Sequence, residues 1–358
     1  MGIECALGTW RSRIMKDAHL TASKFTDNIV VYVDDEPDNL TSFEMHLEMD
    51  FVIKTFADPV EALNYVQNEP KVAILIVDQV MPRLSGLELA RQAKEKNSLM
   101  ICMMITGNAT KQLAIEAVKD NTFWDFIEKP VDFGSFEMSQ KLVRGLEKYV
   151  LEKTKVDYRE GTFELLAMLI DDKDGHTHRH SKRVCEWSVK IGKKMELSKT
   201  ELMRLQEGAM VHDIGKISIP DDILKKPGRI SALERKIIQT HPGRGGDILE
   251  SIPQLKDLAP MARDHHERPD GKGYPRGLVE DEIDLLTSIV ALADFFEALS
   301  AKRPYKEPWA IKDIVAEIAK NKGTQFKGSV VDALFDVLKE EKLIDEKSLE
   351  EVIQSIAA

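Results

Sequence analysis

Between residues 28 and 128 the chain alternates short apolar runs with amphipathic stretches. IVVYVDDE (Ile29 to Glu36) is a β-branched run that closes on acids. A run that is apolar throughout predicts a strand buried on both faces, here with carboxylates at its C-terminal end. Pro37 to Met49 reads as a helix, Phe51 to Phe56 as a second strand and Pro59 to Asn68 as a second helix. VAILIVDQVMP (Val72 to Pro82) is a third strand, and its acid is Asp78. Leu99 to Thr106 is a fourth, and Trp124 to Glu128 a fifth, followed by Lys129-Pro130. Strands that alternate with helices build right-handed βαβ units. The pattern therefore predicts an α/β, doubly wound, five-stranded parallel sheet.

From Phe136 the period changes to a helical one. Leu142, Leu146, Tyr149, Lys153 and Val156 step by four and three along a predicted helix over 136–156. Such a stripe can pair two chains into a homodimer, or it can pack a single helix onto its own domain. Apolar residues keep helical spacing nearly to the end, with no strand signal, so the second domain is expected to be all-α. The expected division is an N-terminal tail (1–26), an α/β domain (27–135), a connecting helix (136–156) and a helical domain (157–358).

Composition narrows the function classes. The 358 residues suit two domains, and 43% hydrophobic with 31% charged residues is ordinary for a globular chain. A formal net charge of -11 opposes a broad grip on nucleic acid phosphates, and no basic recognition helix is apparent, so direct DNA binding is not expected. Cys5, Cys102 and Cys185 form neither a disulfide framework nor a thiolate metal site. That fits a reducing, cytoplasmic setting. No run approaches the length of a membrane span, and the first twenty residues lack the apolar core of a signal peptide.

Open parallel sheets gather reactive groups at the carboxyl ends of their strands. Those ends carry Asp34, Asp35, Asp78, Thr106 and Lys129. Clustered carboxylates repel one another unless a cation sits among them, and Mg²⁺ prefers such an oxygen-rich pocket. A hydroxyl and a lysine beside it suit an incoming phosphoryl group. A single acid there is as readily a solvated turn residue, but the full set points to a site. Over residues 27–147 the set resembles the receiver domain of bacterial response regulators. The resemblance implies that Asp34 and Asp35 hold Mg²⁺ and that Asp78 is the phosphoacceptor. It implies that Thr106 and Lys129 contact the phosphoryl group, and that Phe126 is the aromatic switch residue. It also implies a cognate sensor histidine kinase as partner. Thr122-Phe123 departs from the Gly-Ala usual at that point.

Most of the nine histidines fall between His176 and His266. His180 lies in DDKDGHTHRHSKRV, His212-Asp213 open HDIGKI and His241 lies in THPGRGG. His265-His266 open HHERPDGKGYP, and Asp294 lies in LADFFEAL. A lone histidine is usually structural, but this many beside acids point to metal. Imidazole and carboxylate without thiolate suit Fe, Mn or Zn. The set exceeds the needs of one ion, so two or more ions sharing a carboxylate is the economical reading. Such a pair activates water and stabilises charge on a phosphoryl group. Lys216 falls three residues after Asp213, on one face of a presumed helix, and Arg303 and Lys306 add positive charge. Adjacent helical side chains diverge by about 100°, which directs His265 and His266 to different ions or different faces of a cluster. Gly273, Tyr274 and Pro275 then form a stiff wall beside it.

The order H…HD…H…HH…D resembles the HD superfamily of metal-dependent phosphohydrolases. HHERPDGKGYP is similar to the HD-GYP family, over about residues 157 to 345. The resemblance implies a cyclic di-GMP phosphodiesterase. It implies metal ligands at His180, His212, Asp213, His241, His265, His266 and Asp294, with Fe or Mn as the ions. It implies that Lys216 meets the scissile phosphate and that Tyr274, Arg303 and Lys306 bind the dinucleotide. His176 and His178 have no ligand counterpart and are read as exposed. Asp171 stands where some members place the glutamate of a third metal site, so a third ion stays open. Further departures are Glu297 where aspartate is usual, Thr287-Ser288-Ile289 for Ala-Arg-Ile, and the Gly323 to Gly328 segment.

The expected function is phosphorylation at Asp78 controlling hydrolysis of cyclic di-GMP to pGpG, to GMP, or to both. The alternative is a catalytically weak module that binds metal and nucleotide and serves as a regulated docking scaffold.

Overall fold

The computed structural model describes residues 27–107, 122–174, 179–301 and 307–357. The expected tail over 1–26 lies outside them. The chain divides into two compact units, Met1–Tyr158 and Arg159–Ala358.

Unit 1 holds five strands: β1 (Ile29–Val33), β2 (Val52–Phe56), β3 (Val72–Asp78), β4 (Ile101–Thr106) and β5 (Asp125–Glu128). All pair in parallel in the order β2-β1-β3-β4-β5. That is a doubly wound, flavodoxin-like order. Successive side chains of a strand face opposite sides. Val30, Tyr32, Ile74, Ile76 and Met103 therefore build one apolar layer. Val31, Val33, Leu75, Val77, Cys102 and Met104 build the other. Both faces are covered, which is why β3 reads as an unbroken apolar run and is buried along its whole length.

The helices of unit 1 start on clear signals. α1 (Pro37–Leu47) and α2 (Pro59–Asn68) each have proline in the first turn, and Asp58 caps α2 through Val60 N. α3 (Gly86–Lys96) opens on a capping box between Ser85 and Glu88. A Cβ at Gly86 would sit 2.2 Å from the Asp78 carbonyl oxygen, so only glycine lets the helix start this close to the end of β3.

α4 is Phe136–Asp174, 39 residues. Leu142, Leu146 and Tyr149 are buried in the unit 1 core beside Val30 and Tyr32. Phe163, Ala167 and Ile170 are buried in the unit 2 core. Residues 153–162 between them are all exposed. The stripe that could have paired two chains is thus taken up at Leu142, Leu146 and Tyr149 by the helix's own domain. Its last members, Lys153 and Val156, face solvent.

Unit 2 continues with α5 (His180–Lys194), α6 (Lys199–Val211), α7 (Asp221–Leu224), α8 (Ala232–Ile238), α9 (His241–Glu250) and α10 (Ala259–Asp264). α11 (Leu285–Ser300), α12 (Ile311–Lys320), α13 (Gly328–Glu340) and α14 (Glu346–Ala357) follow. Except for α7 and α8, which bury no residue, their apolar faces share one core that includes Val184, Leu205, Ala262, Ile289, Val290 and Leu334. Among the described residues the only extended pairing is two isolated bridges, Asp270 with Val279 and Lys322 with Phe326.

Candidate metal centre

The helices of unit 2 deliver their histidines at their ends. His180 and His241 are the first residues of α5 and α9. His212 ends α6, and His265-His266 follow α10. α6 buries Leu205, Ala209, Met210 and Val211, which fixes the angle at which His212 leaves it. Asp213 then opens a 3-10 turn, Ile214–Ser218. A Cβ at Gly215 would stand 1.9 Å from the His241 carbonyl oxygen. The glycine of HDIGK therefore permits the turn to press against the start of α9, which brings Asp213 up to His241.

Three histidines are oriented alike. The Nδ1 atoms of His212, His241 and His265 lie 2.7, 2.7 and 3.0 Å from the carbonyl oxygens of Ala209, Ile238 and Ala262. A carbonyl only accepts, so each Nδ1 carries the proton and each Nε2 keeps its lone pair. Those Nε2 atoms turn to Asp213. His241 and His265 face Oδ1 at 3.1 and 3.7 Å, whereas His212 and His180 face Oδ2 at 3.3 and 4.0 Å. The ligand atoms fall into two groups, His241-His265-His266 and His180-His212-Asp213. Asp294 on α11 adds its Oδ1 at 3.3 Å from His180 Nε2.

This set fits divalent cations. His212 Nε2 is buried without a hydrogen-bond partner, an arrangement that is costly unless a Lewis acid takes the lone pair. Imidazole and carboxylate donors without thiolate match Fe, Mn or Zn. One carboxylate with each oxygen turned to a different histidine group has the form of a bridging ligand.

Charge is distributed unevenly. Burial opposes protonation of His180, but Asp294 and Glu297 outweigh it and hold the ring up at about 10. Burial works likewise against His212, and Asp213 still raises it. Burial lowers His265 well below its ordinary value and His266 to about 4, with neighbouring imidazoles adding to both shifts. Asp213 and Asp294 stay ionised against their burial, the first through Lys216 and His212 and the second through His180. Lys216 donates to Asp213 at 2.7 Å and to Asp174 at 2.6 Å, and these acids push its ammonium up despite burial.

The GKGYP loop closes one side. A Cβ at Gly273 would come within 2.4 Å of Glu267 Cα, so the loop lies directly on the backbone after the histidine pair. Tyr274 N donates to His266 O, and the Tyr274 ring stacks on His266 at 4.8 Å. Burial and then Asp213 push the tyrosine hydroxyl up to about 12. Pro275 is exposed.

Comparison with known proteins places this geometry. The HD domain pattern matches residues 164–330, and the response regulator receiver pattern matches residues 30–139. The chain is 34% identical to a "Cyclic di-GMP phosphodiesterase" of Thermotoga maritima, over 77% of this chain and 81% of that protein. It is 30% identical to "Cyclic di-GMP phosphodiesterase response regulator RpfG" of Xanthomonas campestris pv. campestris, over 85% and 86%. A "3'3'-cGAMP-specific phosphodiesterase 3" of Vibrio cholerae is 38% identical over 46% of this chain and 36% of that protein. This chain belongs to the HD-GYP family of response regulators.

In this HD-GYP protein several site expectations meet a different arrangement. His265 and His266 were expected to diverge, but they join one ligand group, with ring centroids 4.1 Å apart. The backbone at His265 stays in the right-handed helical region as α10 ends, so a helical step between neighbours does not by itself carry two rings to different groups. Lys216 lies on a 3-10 turn rather than an α-helix, where residues three apart still share a face. Asp171 is buried and belongs to neither ligand group. Its carboxylate accepts from Arg179 N, Ser181 N and Ser181 Oγ, and so caps the start of α5. Arg303, Lys306, His176 and His178 lie outside the described residues.

In the receiver domain Asp78 is buried at the end of β3, with Lys129 Nζ at 2.7 Å and Val80 N donating to its other oxygen. Burial opposes the Lys129 ammonium, but Asp78 raises it. Asp34 is fully buried and accepts from Tyr32 Oη, Asn39 Nδ2 and Glu36 N, while Asp35 is exposed. Thr106 Oγ1 donates to Gln79. Phe126 is half-buried, with its ring 5.8 Å from that of Phe123. The bulky Phe123 therefore packs directly against the expected switch residue.

Four acids escaped the sequence reading as parts of the site. Glu267 is buried and accepts from the backbone N of Arg276, Gly277 and Leu278. Asp264 holds the Arg276 guanidinium through Nε and Nη2. Asp174 pairs with Lys216. Glu297, noted only as a departure, reaches His180. Acids within six residues of a histidine ligand, as three of these are, were the available signal.

Proposed function

We propose that this chain is a metal-dependent phosphodiesterase that hydrolyses cyclic di-GMP to pGpG, GMP or both, under control of phosphorylation at Asp78. The observation that carries the reading is Asp213, whose two oxygens turn to separate histidine groups. His180, His212, Asp213 and Asp294 would hold one ion, and His241, His265 and His266 with Asp213 the other. Fe or Mn suits the donors, and such ions supply a nucleophilic water at neutral pH and neutralise charge on a phosphoryl group. Asp171 is already engaged as a cap, which disfavours a third ion there.

Lys216 stays protonated and stands beside Asp213, where a non-bridging phosphate oxygen would be met. Tyr274, between Gly273 and Pro275, presents its hydroxyl to the same side, and Arg303 and Lys306 would bind the dinucleotide. Asp34 and Asp35 would hold Mg²⁺ for phosphoryl transfer from a sensor histidine kinase to Asp78. Thr106, Lys129 and Phe126 would sense the phosphoryl group. Self-association through α4 would use exposed Leu151 and Tyr158, seven residues apart on a single face.

The test is turnover by Mn- or Fe-loaded protein on a panel of cyclic di-GMP and 3'3'-cGAMP, with Asp78→Asn beside the parent. Hydrolysis of cyclic di-GMP that responds to a phosphodonor in the parent, and not in D78N, is expected. Metal and nucleotide binding without turnover would favour the scaffold reading instead.

A further inference from the structure

Of the four histidines that face Asp213, one is held differently. The Nδ1–H groups of His212, His241 and His265 each bond a backbone carbonyl three residues earlier. His180 opens its helix, and its Nδ1 instead donates to Glu297 Oε2 at 2.5 Å, from α11, 117 positions along the chain. The other oxygen of Glu297 accepts from Arg183 Nε at 2.7 Å and Nη2 at 2.5 Å. Arg183 lies one helical turn after His180, so the pair is clamped from α5 and α11 together. Glu297 is 2% exposed.

We propose that Glu297, braced by Arg183, is a positioning residue that aims His180 Nε2 into the centre and selectively strengthens the ion bound on the His180-His212 side. This rests on the two-ion reading above. A carboxylate on the far nitrogen fixes the tautomer and ring plane, and it makes the imidazole a more basic donor than a neutral carbonyl does. Asp294 is three residues before Glu297 on the same helix. One face of α11 would therefore supply both a ligand and the brace for another ligand. The rotation of α11 about its axis would then set the geometry of one ion and leave the other to α9 and α10.

The test is metal uptake, read apart from activity. Metal-free full-length protein is titrated with Mn²⁺ without oxygen, free Mn²⁺ is followed by electron paramagnetic resonance, and unfolding is followed by circular dichroism. The parent should take up two ions. Glu297→Gln keeps the size and an acceptor but removes the charge. It should weaken one ion by about 10–100-fold and leave the other unchanged. His180→Asn should weaken the same ion, and adding E297Q to it should cause no further loss. Equal weakening of both ions with a lower melting temperature, full additivity in the double variant, or no change in either ion would overturn the assignment. A parent that binds fewer than two ions would overturn the two-ion reading along with it.

Discussion

The His265-His266 side and the His180-His212 side of the centre use the same residue type and share Asp213, yet their surroundings push them in opposite directions. Around His265 and His266 the neighbours are mostly other imidazoles, and burial with mutual repulsion keeps both rings neutral. Around His180 stand Asp294 and Glu297, which hold its ring up at about 10 against burial, and Asp213 raises His212 in the same direction. In the metal-free protein one side is already deprotonated for a cation, whereas on the other His180 carries a proton where a cation would go. The lesson is that ligand count alone does not define a site. The same imidazole is a ready donor or a capped one according to the carboxylates within reach.

The largest way to break this comparison is to remove what the sides share. Asp213→Ala should abolish tight uptake of both ions, and kcat/KM should fall on the order of 10³-fold or more, since several kcal/mol of charge stabilisation go with the metals. Metal analysis and turnover check it together. Loss of one ion only would mean that Asp213 serves a single side.

A second prediction sharpens the contrast through pH. Loading the His180 side must displace protons, so its apparent affinity should rise as pH goes from 7 towards 10. The His265-His266 side should be flat above about 6.5 and weaken as pH falls towards 4. Calorimetry in buffers of different ionisation enthalpy counts the protons released at each step. The stability of the metal-free protein follows the same signs. A lowered folded value, as in His266, gives stability that is complete above the unfolded value and lost as pH falls towards 4. A raised one, as in His180, gives stability that is complete below the unfolded value and lost as pH rises through about 10. The melting temperature of the metal-free protein should therefore peak near neutrality.

Smaller effects separate the metal centre from its wall and its connecting helix. Glu267→Ala leaves three loop N–H groups without their acceptor, which should loosen the Tyr274 wall by about 1–3 kcal/mol. A raised KM with unchanged metal content is expected, whereas loss of metal would place Glu267 in the centre itself. Leu151→Asp on the exposed face of α4 should change stability by less than about 0.5 kcal/mol. By sedimentation it should reduce self-association, and an unchanged parent dimer would exclude that face.

Much of this architecture was legible from the pattern of residues alone. The strands follow from apolar runs because a sheet covered on both faces leaves no polar alternation. The histidines and Asp213 could be singled out because their types are rare together. The remainder depended on contacts that no spacing encodes. The stripe at Leu142, Leu146 and Tyr149 is the same whether it faces a second chain or its own sheet, and only the fold shows that it joins the core of its own sheet. Asp171 caps α5 because an unpaired helix N-terminus lies beside it, which a motif position does not reveal. Glu297 resembled a conservative change until α11 brought it onto His180. His265 and His266 join one ligand group although the backbone at His265 stays helical, so the angular step between neighbours did not decide which group each faces.

The most direct test of the account is to follow turnover of cyclic di-GMP while metal-free protein is reloaded, without oxygen, with counted ions of Fe or Mn. The account predicts little turnover at one ion per chain and full turnover as the second ion, on the His180 side, is taken up. Full turnover at one ion per chain, or in protein kept free of metal by a chelator, would contradict it.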